Sequence, residues 1–267
     1  MNRTEQQMVS ILSDLRDNHG VIGVKAEFEA EGTRFEEGVR LKEVVTRAGL
    51  DLCIKIGGCE AIRDMFDARV LGAQKIVAPM IESEFALKKY VESFEKVFSE
   101  EERGDISFAI NLETKQCDKN FDEISASPDF QKVDCVVIGR NDLSYSLGLT
   151  REGINHPDTM SVAKNFMLRA KEAKPNIVCG VGGGVSATSI PLFEKDLSTL
   201  LSYFETRKVM FDFQSALKSF EEGILKALKF EVLWLSNKAS YYSSIAREDE
   251  KRLQVLSSRY GPSFSRL

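Results

Sequence analysis

Cys135-Val136-Val137-Ile138-Gly139-Arg140-Asn141-Asp142-Leu143-Ser144-Tyr145-Ser146-Leu147-Gly148 begins as a β-branched apolar run, stops at a glycine and sets a carboxylate, Asp142, just beyond it. A run without polar alternation is what a parallel strand needs when helices cover both faces of its sheet. Upstream, Ile106-Ser107-Phe108-Ala109-Ile110-Asn111-Leu112-Glu113-Thr114 repeats the pattern and ends on Glu113. Two buried strands that each end on an acid can aim two oxygen ligands at one point. A hard cation such as Mg²⁺ requires that kind of donor set.

Working outward, strand-length apolar runs recur at 21–28, 51–56, 75–80, 106–112, 133–138, 176–181 and 208–211. Amphipathic segments lie between them, among them 36–48, 60–71, 83–98 and 157–173. Strand and helix in alternation imply right-handed βαβ units and a parallel sheet. Seven strands are too many for a small doubly wound domain without a clear switch point, so the pattern predicts an eight-stranded α/β barrel with one strand hidden or missing. The N-terminus is the weak place, because residues 5–17 read as a helix and not as a first strand. From Ser215 onward the pattern is helical through 220–235, with a polar helix around 243–257 and a Gly261-Pro262 tail. The expected organisation is one domain over 1–267, with the barrel over about 20–217 and a helical extension over about 213–267.

Composition narrows the function. The chain has 267 residues, 43% hydrophobic and 29% charged, with a net charge of -5. That balance argues against a nucleic-acid or anionic-membrane partner. No apolar run approaches the roughly 18 residues of a spanning helix, and Met1-Asn2-Arg3-Thr4-Glu5-Gln6-Gln7 lacks the apolar core of a signal peptide. A cytoplasmic location is expected. The five cysteines are odd in number and scattered, without a C-x-x-C pair. Cys53, Cys135 and Cys179 fall within apolar runs, where cysteine behaves as a small buried hydrophobe.

In a barrel the strand C-termini and the loops after them build the site. Glu27, Glu29 and Glu31 end the first strand, Glu82 and Glu84 the third, Glu113 the fourth, and Asp142 follows the fifth. Asn111 and Glu113 share a strand face, so an amide sits beside a carboxylate. Glu113 could instead cap the next helix, and Asp142 could sit in a polar turn. The run Gly180-Val181-Gly182-Gly183-Gly184 reads either as an anion-binding loop or as a tight turn with close packing. The helix over 213–235, with Phe220, Ile224, Leu228, Leu233 and Trp234, is apolar beyond one stripe. It either closes the barrel bottom or packs against a neighbouring subunit, and a homo-oligomer is expected.

These stretches resemble a known family. Ile110-Asn111-Leu112-Glu113-Thr114, with Val136 to Gly148, is similar to the metal-site signature of the HpcH/HpaI class II pyruvate aldolase and citrate lyase β-subunit family. Lys75 to Leu87 (KIVAPMIESEFAL) and Asp51 to Gln74 resemble that family's preceding strands, helix and turns. The resemblance implies a TIM (β/α)8 barrel of the phosphoenolpyruvate/pyruvate type and a divalent cation, Mg²⁺ or Mn²⁺. It implies substrates that are pyruvate-like or acyl-CoA-linked keto and hydroxy acids. By position, Glu113 and Asp142 would hold the metal. Asn111 would stand where the family often has glutamine, and the backbone amides around Asn141 and Asp142, in the turn after Gly139, would cradle a substrate carboxylate.

Two departures follow from the same comparison. Lys55 stands where the family's second strand usually ends in arginine, so a point charge replaces a bidentate fork. The family's aldolase branch uses a histidine after the first acidic strand, where this chain reads Glu27-Phe28-Glu29-Ala30-Glu31; His19 and His156 do not fit. Glu27 and Glu29 are then the expected proton carriers, with Lys55 neutralising an enolate. The expected function is a metal-dependent carbon–carbon lyase or aldolase acting on a 2-keto acid or related hydroxy-acyl substrate. The alternatives are other chemistry in the same pocket, such as phosphoenolpyruvate-type transfer or hydrolysis, and a non-catalytic metabolite-binding barrel.

Overall fold

Eight strands close into one barrel in the order β1 to β8. The structure, a computed structural model, describes residues 1–264. Its first half runs α1 (Arg3–His19), β1 (Val21–Glu27), α2 (Phe35–Arg47), β2 (Asp51–Lys55), α3 (Ile62–Val70), β3 (Lys75–Ala78), α4 (Glu84–Val97), α5 (Glu100–Asp105), β4 (Ser107–Leu112) and α6 (Lys115–Ala126). Then come β5 (Cys135–Gly139), α7 (Arg140–Ser146), α8 (Pro157–Ala173), β6 (Val178–Gly182), α9 (Ile190–Leu197), β7 (Tyr203–Glu205), β8 (Val209–Asp212), α10 (Phe213–Ala216) and α11 (Phe220–Phe264).

Strands β1 to β7 pair in parallel, as their unbroken apolar runs require. Strand β8 is reversed and pairs antiparallel with both β7 and β1. A three-residue turn, Thr206-Arg207-Lys208, joins β7 to β8 in place of a crossover helix. Only an antiparallel pair can be joined so tightly. The barrel is therefore of the expected class, with its last unit folded as a hairpin whose turn stands at the barrel mouth.

The hidden strand is β7, not a missing first strand. Tyr203–Glu205 is three residues long, too short to stand out by periodicity. The N-terminus is a helix, as residues 5–17 suggested, and α1 opens with a capping box between Asn2 and Glu5. At the other end the two expected C-terminal helices are one. A break at Leu217-Lys218-Ser219 separates the short α10 from α11, which then runs 45 residues. No proline or glycine lies between 235 and 243 to interrupt it. The helix also continues through Gly261 and Pro262, where a tail was expected.

Alternation along the strands builds two cores. Outward residues such as Val24, Ile54, Ile76, Ile110, Ile138, Val181 and Phe204 meet the helices, where Leu41, Met65, Leu87, Phe121, Phe166 and Phe193 are buried with them. Inward residues Cys53, Val77, Ala109, Cys135, Val137, Tyr203 and Met210 fill the lower barrel. The Tyr203 ring is the plug of that layer. It occupies the space a side chain at Gly180 would need, since a Cβ there would lie 2.3 Å from Tyr203 Cζ. Cys53, Cys135 and Cys179 are buried as expected, and burial pushes the Cys53 thiol up to about 12.

Candidate active site

Above the Tyr203 plug the inward positions turn polar. Lys25 and Glu27 on β1, Lys55 on β2, Asn111 on β4 and Glu205 on β7 line a cavity of about 680 Å³. Gly139 and Gly182, at the ends of β5 and β6, and Glu113, just past β4, complete its floor; Glu29, Asn141, Asp142, Tyr145, Gly183 and Arg207 form its rim. The cavity opens at the C-terminal ends of the parallel strands, the end where barrel sites form. All the residues singled out from sequence for metal, substrate or proton handling meet here.

Glu113 is the buried centre, with 1% of its side chain exposed. Its Oε1 accepts the Met80 backbone N–H at 3.0 Å and its Oε2 accepts the Asn111 Nδ2–H at 2.8 Å. Asn111 thus fixes the carboxylate from the same strand face. Met80 takes the left-handed conformation, at φ 53°, which is rare outside glycine and turns its N–H onto the acid. Gly139 is required by this packing: a Cβ there would lie 2.3 Å from Glu113 Oε2 and 2.9 Å from Glu113 Cβ. Burial raises the Glu113 pKa; Lys55, Asn111 and Met80 oppose that rise, and the charge of Asp142 adds to it. Asp142 itself lies exposed in the first turn of α7.

The cations are arranged around this acid. Lys55 Nζ lies 3.6 Å from Glu113 Oε2 and 3.3 Å from Glu29 Oε2. Burial works against its charge, but Glu113, Glu29 and Glu27 outweigh it and the pKa is raised. Lys25 sits between Glu205 at 2.6 Å and Glu27 at 3.0 Å. Burial alone would raise the Glu27 pKa, yet Lys25, Lys55 and Arg207 hold it below the usual range. Five carboxylates (Glu27, Glu29, Glu113, Glu205, Asp142) therefore face three cations (Lys25, Lys55, Arg207) around the cavity. Two negative charges are left over, and the donors are oxygens. That donor set fits a divalent hard cation. Among the described residues no group of three or more His, Cys, Asp or Glu converges on a metal position. The chain itself would supply two carboxylates, and water or substrate the rest.

The model of the HpcH/HpaI aldolase/citrate lyase family matches residues 42–184, from the second half of α2 through the glycine run after β6. The chain belongs to this family. A HpcH/HpaI aldolase/citrate lyase family protein from Burkholderia cenocepacia J2315 has a similar fold, with TM-score 0.56 at 15% identity over 82% of this chain and 99% of that one. The citrate synthase SbnG is similar at TM-score 0.56 and 13% identity, over 83% of this chain and 98% of that one. At such identities the likeness speaks for the fold alone. No curated protein matches the sequence at a significant level.

Against the HpcH/HpaI background, several residues were not legible as site residues. Lys25 interrupts an apolar run two positions before Glu27, and that shared face was its only signal. Glu205 ends the unrecognised β7, and Arg207 stands in the hairpin turn behind it. Gly182 leaves room for Glu205, since a Cβ there would lie 2.7 Å from Glu205 Oε1. Other strand-end acids are engaged elsewhere. Glu31 pairs with Arg207 and Lys208, Glu82 accepts the Thr114 hydroxyl at 2.6 Å, and Glu84 opens α4. His19 lies at the end of α1 beside Ser219, and His156 caps α8, so neither lines the cavity.

The glycine run packs closely. A Cβ at Gly183, which has φ +81°, would lie 2.6 Å from Asn141 N and 2.8 Å from Arg140 N. The bare glycine lets β6 approach the first amides of α7. Arg140 ties the same corner together: its guanidinium donates to the carbonyls of Gly182 (3.2 Å), Gly183 (2.8 Å) and Ile154 (3.2 Å) and to Asn155 Oδ1 (2.7 Å). These acceptors are all neutral, and burial drops its pKa to about 10.

Proposed function

We propose that this chain is a divalent-metal-dependent carbon–carbon lyase or aldolase acting on a 2-keto acid or a related hydroxy-acyl substrate. Glu113 and Asp142 would hold Mg²⁺ or Mn²⁺. The observation that carries the reading is Glu113, a buried carboxylate oriented by Met80 and Asn111 in a cavity whose acids outnumber its cations by two. A bound divalent ion would supply Lewis acidity for negative charge on the substrate oxygen.

The chain's own groups have the following parts. Lys55 keeps its proton and sets an ammonium beside Glu113, where it offsets the charge of an enolate. The amides at Asn141 and Asp142, in the turn that Gly139 opens, hold the substrate carboxylate. Asn111 holds Glu113 in place and lines the pocket. Glu29, 3.3 Å from Lys55 and 30% exposed, is the proton carrier. Glu27 is the alternative carrier, although the Lys25 ammonium stabilises its charged form and so opposes its taking up a proton. The substrate is a small molecule, the location cytoplasmic and the protein self-associating.

A second reading keeps the pocket and changes the reaction. Lysine at position 55 and the absence of both histidines from the cavity favour it. A solved neighbour called a citrate synthase makes carbon–carbon bond formation the natural variant. Glu113→Gln and Asp142→Asn are each expected to abolish Mn²⁺ binding by titration calorimetry and turnover of pyruvate or oxaloacetate. Turnover that survives either change defeats the first reading.

A further inference from the structure

The loop between β1 and α2 carries Glu29 to the rim of the cavity. Its two ends are fixed by backbone bonds: the Phe28 N–H donates to the Lys55 carbonyl at 2.9 Å, and the Thr33 N–H to the Glu27 carbonyl at 3.1 Å. Between those bonds stands the tip, Glu29-Ala30-Glu31-Gly32, with Glu29 and Ala30 facing the cavity. Two side-chain ties hold this tip from opposite sides. Glu29 reaches Lys55 on β2 at 3.3 Å. Glu31 reaches the turn between β7 and β8, where it pairs with Lys208 and, at 3.1 Å, with Arg207.

The two ties are unequal. Lys55 is shared with Glu113, 3.6 Å away, and in the proposed reaction its charge also offsets an enolate. Lys208 does not line the cavity; its side chain is 3% exposed and that of Glu31 is 9% exposed. The Lys208 ammonium donates to the Lys25 carbonyl at 3.4 Å, while the Lys25 N–H donates to the Lys208 carbonyl at 2.8 Å, so Lys208 is bound to β1 at both ends. Burial lowers the Lys208 pKa, and Glu31 most strongly opposes that fall. The arrangement exists because β8 runs backwards. A parallel last strand would begin at the barrel bottom, whereas the hairpin puts Lys208, the residue before β8, at the mouth beside β1.

We propose that Glu31 is a positioning residue: anchored on Lys208 and Arg207, it fixes the β1–α2 loop so that Glu29 keeps its place over the substrate while a proton moves. This rests on Glu29 being the proton carrier. Glu31 sets where Glu29 stands and not how tightly the pocket binds, so its loss should appear in kcat and not in KM.

Exchange of pyruvate methyl protons with deuterium oxide in the presence of Mg²⁺, followed by proton NMR, needs the enolate and no second substrate. Glu31→Gln is expected to slow kcat for this exchange about 10- to 100-fold, with KM for pyruvate within about twofold of wild type. That change leaves Lys208 buried without its carboxylate, so Glu31→Gln combined with Lys208→Met removes the stranded charge as well. The double variant should unfold in urea close to wild type and exchange as slowly as Glu31→Gln. Amide hydrogen exchange over 28–34 should quicken in both variants and stay unchanged in β4 and β5. A rate restored in the double variant, a raised KM in place of a lowered kcat, or unchanged amide exchange over 28–34 would each overturn the proposal. An inactive Glu29→Gln beside a fully active Glu31→Gln overturns it alone. A wild type that exchanges no pyruvate protons, or a Glu29→Gln as fast as wild type, defeats the assignment of Glu29 and the proposal with it.

Discussion

A carboxylate as buried as Glu113 is costly unless several groups hold it. Here a strained Met80 amide, the Asn111 amide and the Lys55 ammonium share that task, and Gly139 gives up its side chain to make room. Lys25 and Glu27 show the complementary case, in which two opposite charges are buried together. Because the Glu27 pKa is lowered in the fold, its contribution to stability is present above the ordinary value of 4.5 and is lost as pH falls through the lowered one. Glu27→Gln is expected to cost about 2 kcal/mol at pH 7, less than a fully broken buried pair, because Glu205 still faces Lys25. Urea unfolding from pH 7 to pH 3 should show the gap between variant and wild type closing with acid. A gap that stays constant would mean Glu27 carries no net charge interaction.

Among the elements, β7 and α11 account for most of what sequence reading missed. A three-residue strand leaves no period to detect, yet β7 supplies Tyr203 to the plug and Glu205 to the cavity. Its partner β8 was visible as an apolar run, but nothing in that run says which way it points. Direction is set by the length of the connection, and three residues allow only a hairpin. α11 was read in two pieces because its middle is polar, although helix continuity depends on the absence of breakers and not on hydrophobicity. Trp234 fastens it, 2% exposed on the buried face of α11. Trp234→Ala is therefore expected to cost about 3–5 kcal/mol in chemical denaturation. A loss under 1 kcal/mol would mean that α11 is held elsewhere.

For the whole molecule, the cavity's carboxylates outnumber its cations by two, so a divalent cation would find negative charge to neutralise there. A divalent ion binding only the folded state should stabilise it by about 2.7 kcal/mol at 100 times its dissociation constant. Thermal unfolding with Mg²⁺ or Mn²⁺ should show that gain, chelation should remove it, and Glu113→Gln should never show it. An equal gain in that variant would place the ion elsewhere. By itself the sequence determined the barrel class, the acids at the ends of β4 and β5, and the family motif around them, because strand periodicity and strand-end position are local properties. The tertiary structure alone decided that Lys25, Glu205 and Arg207 share that cavity, that β8 runs backwards and that Gly180 and Gly182 seat Tyr203 and Glu205. Those are facts of closure: they arise only when strands distant in the chain become neighbours, and no local pattern records which residues will meet inside the ring.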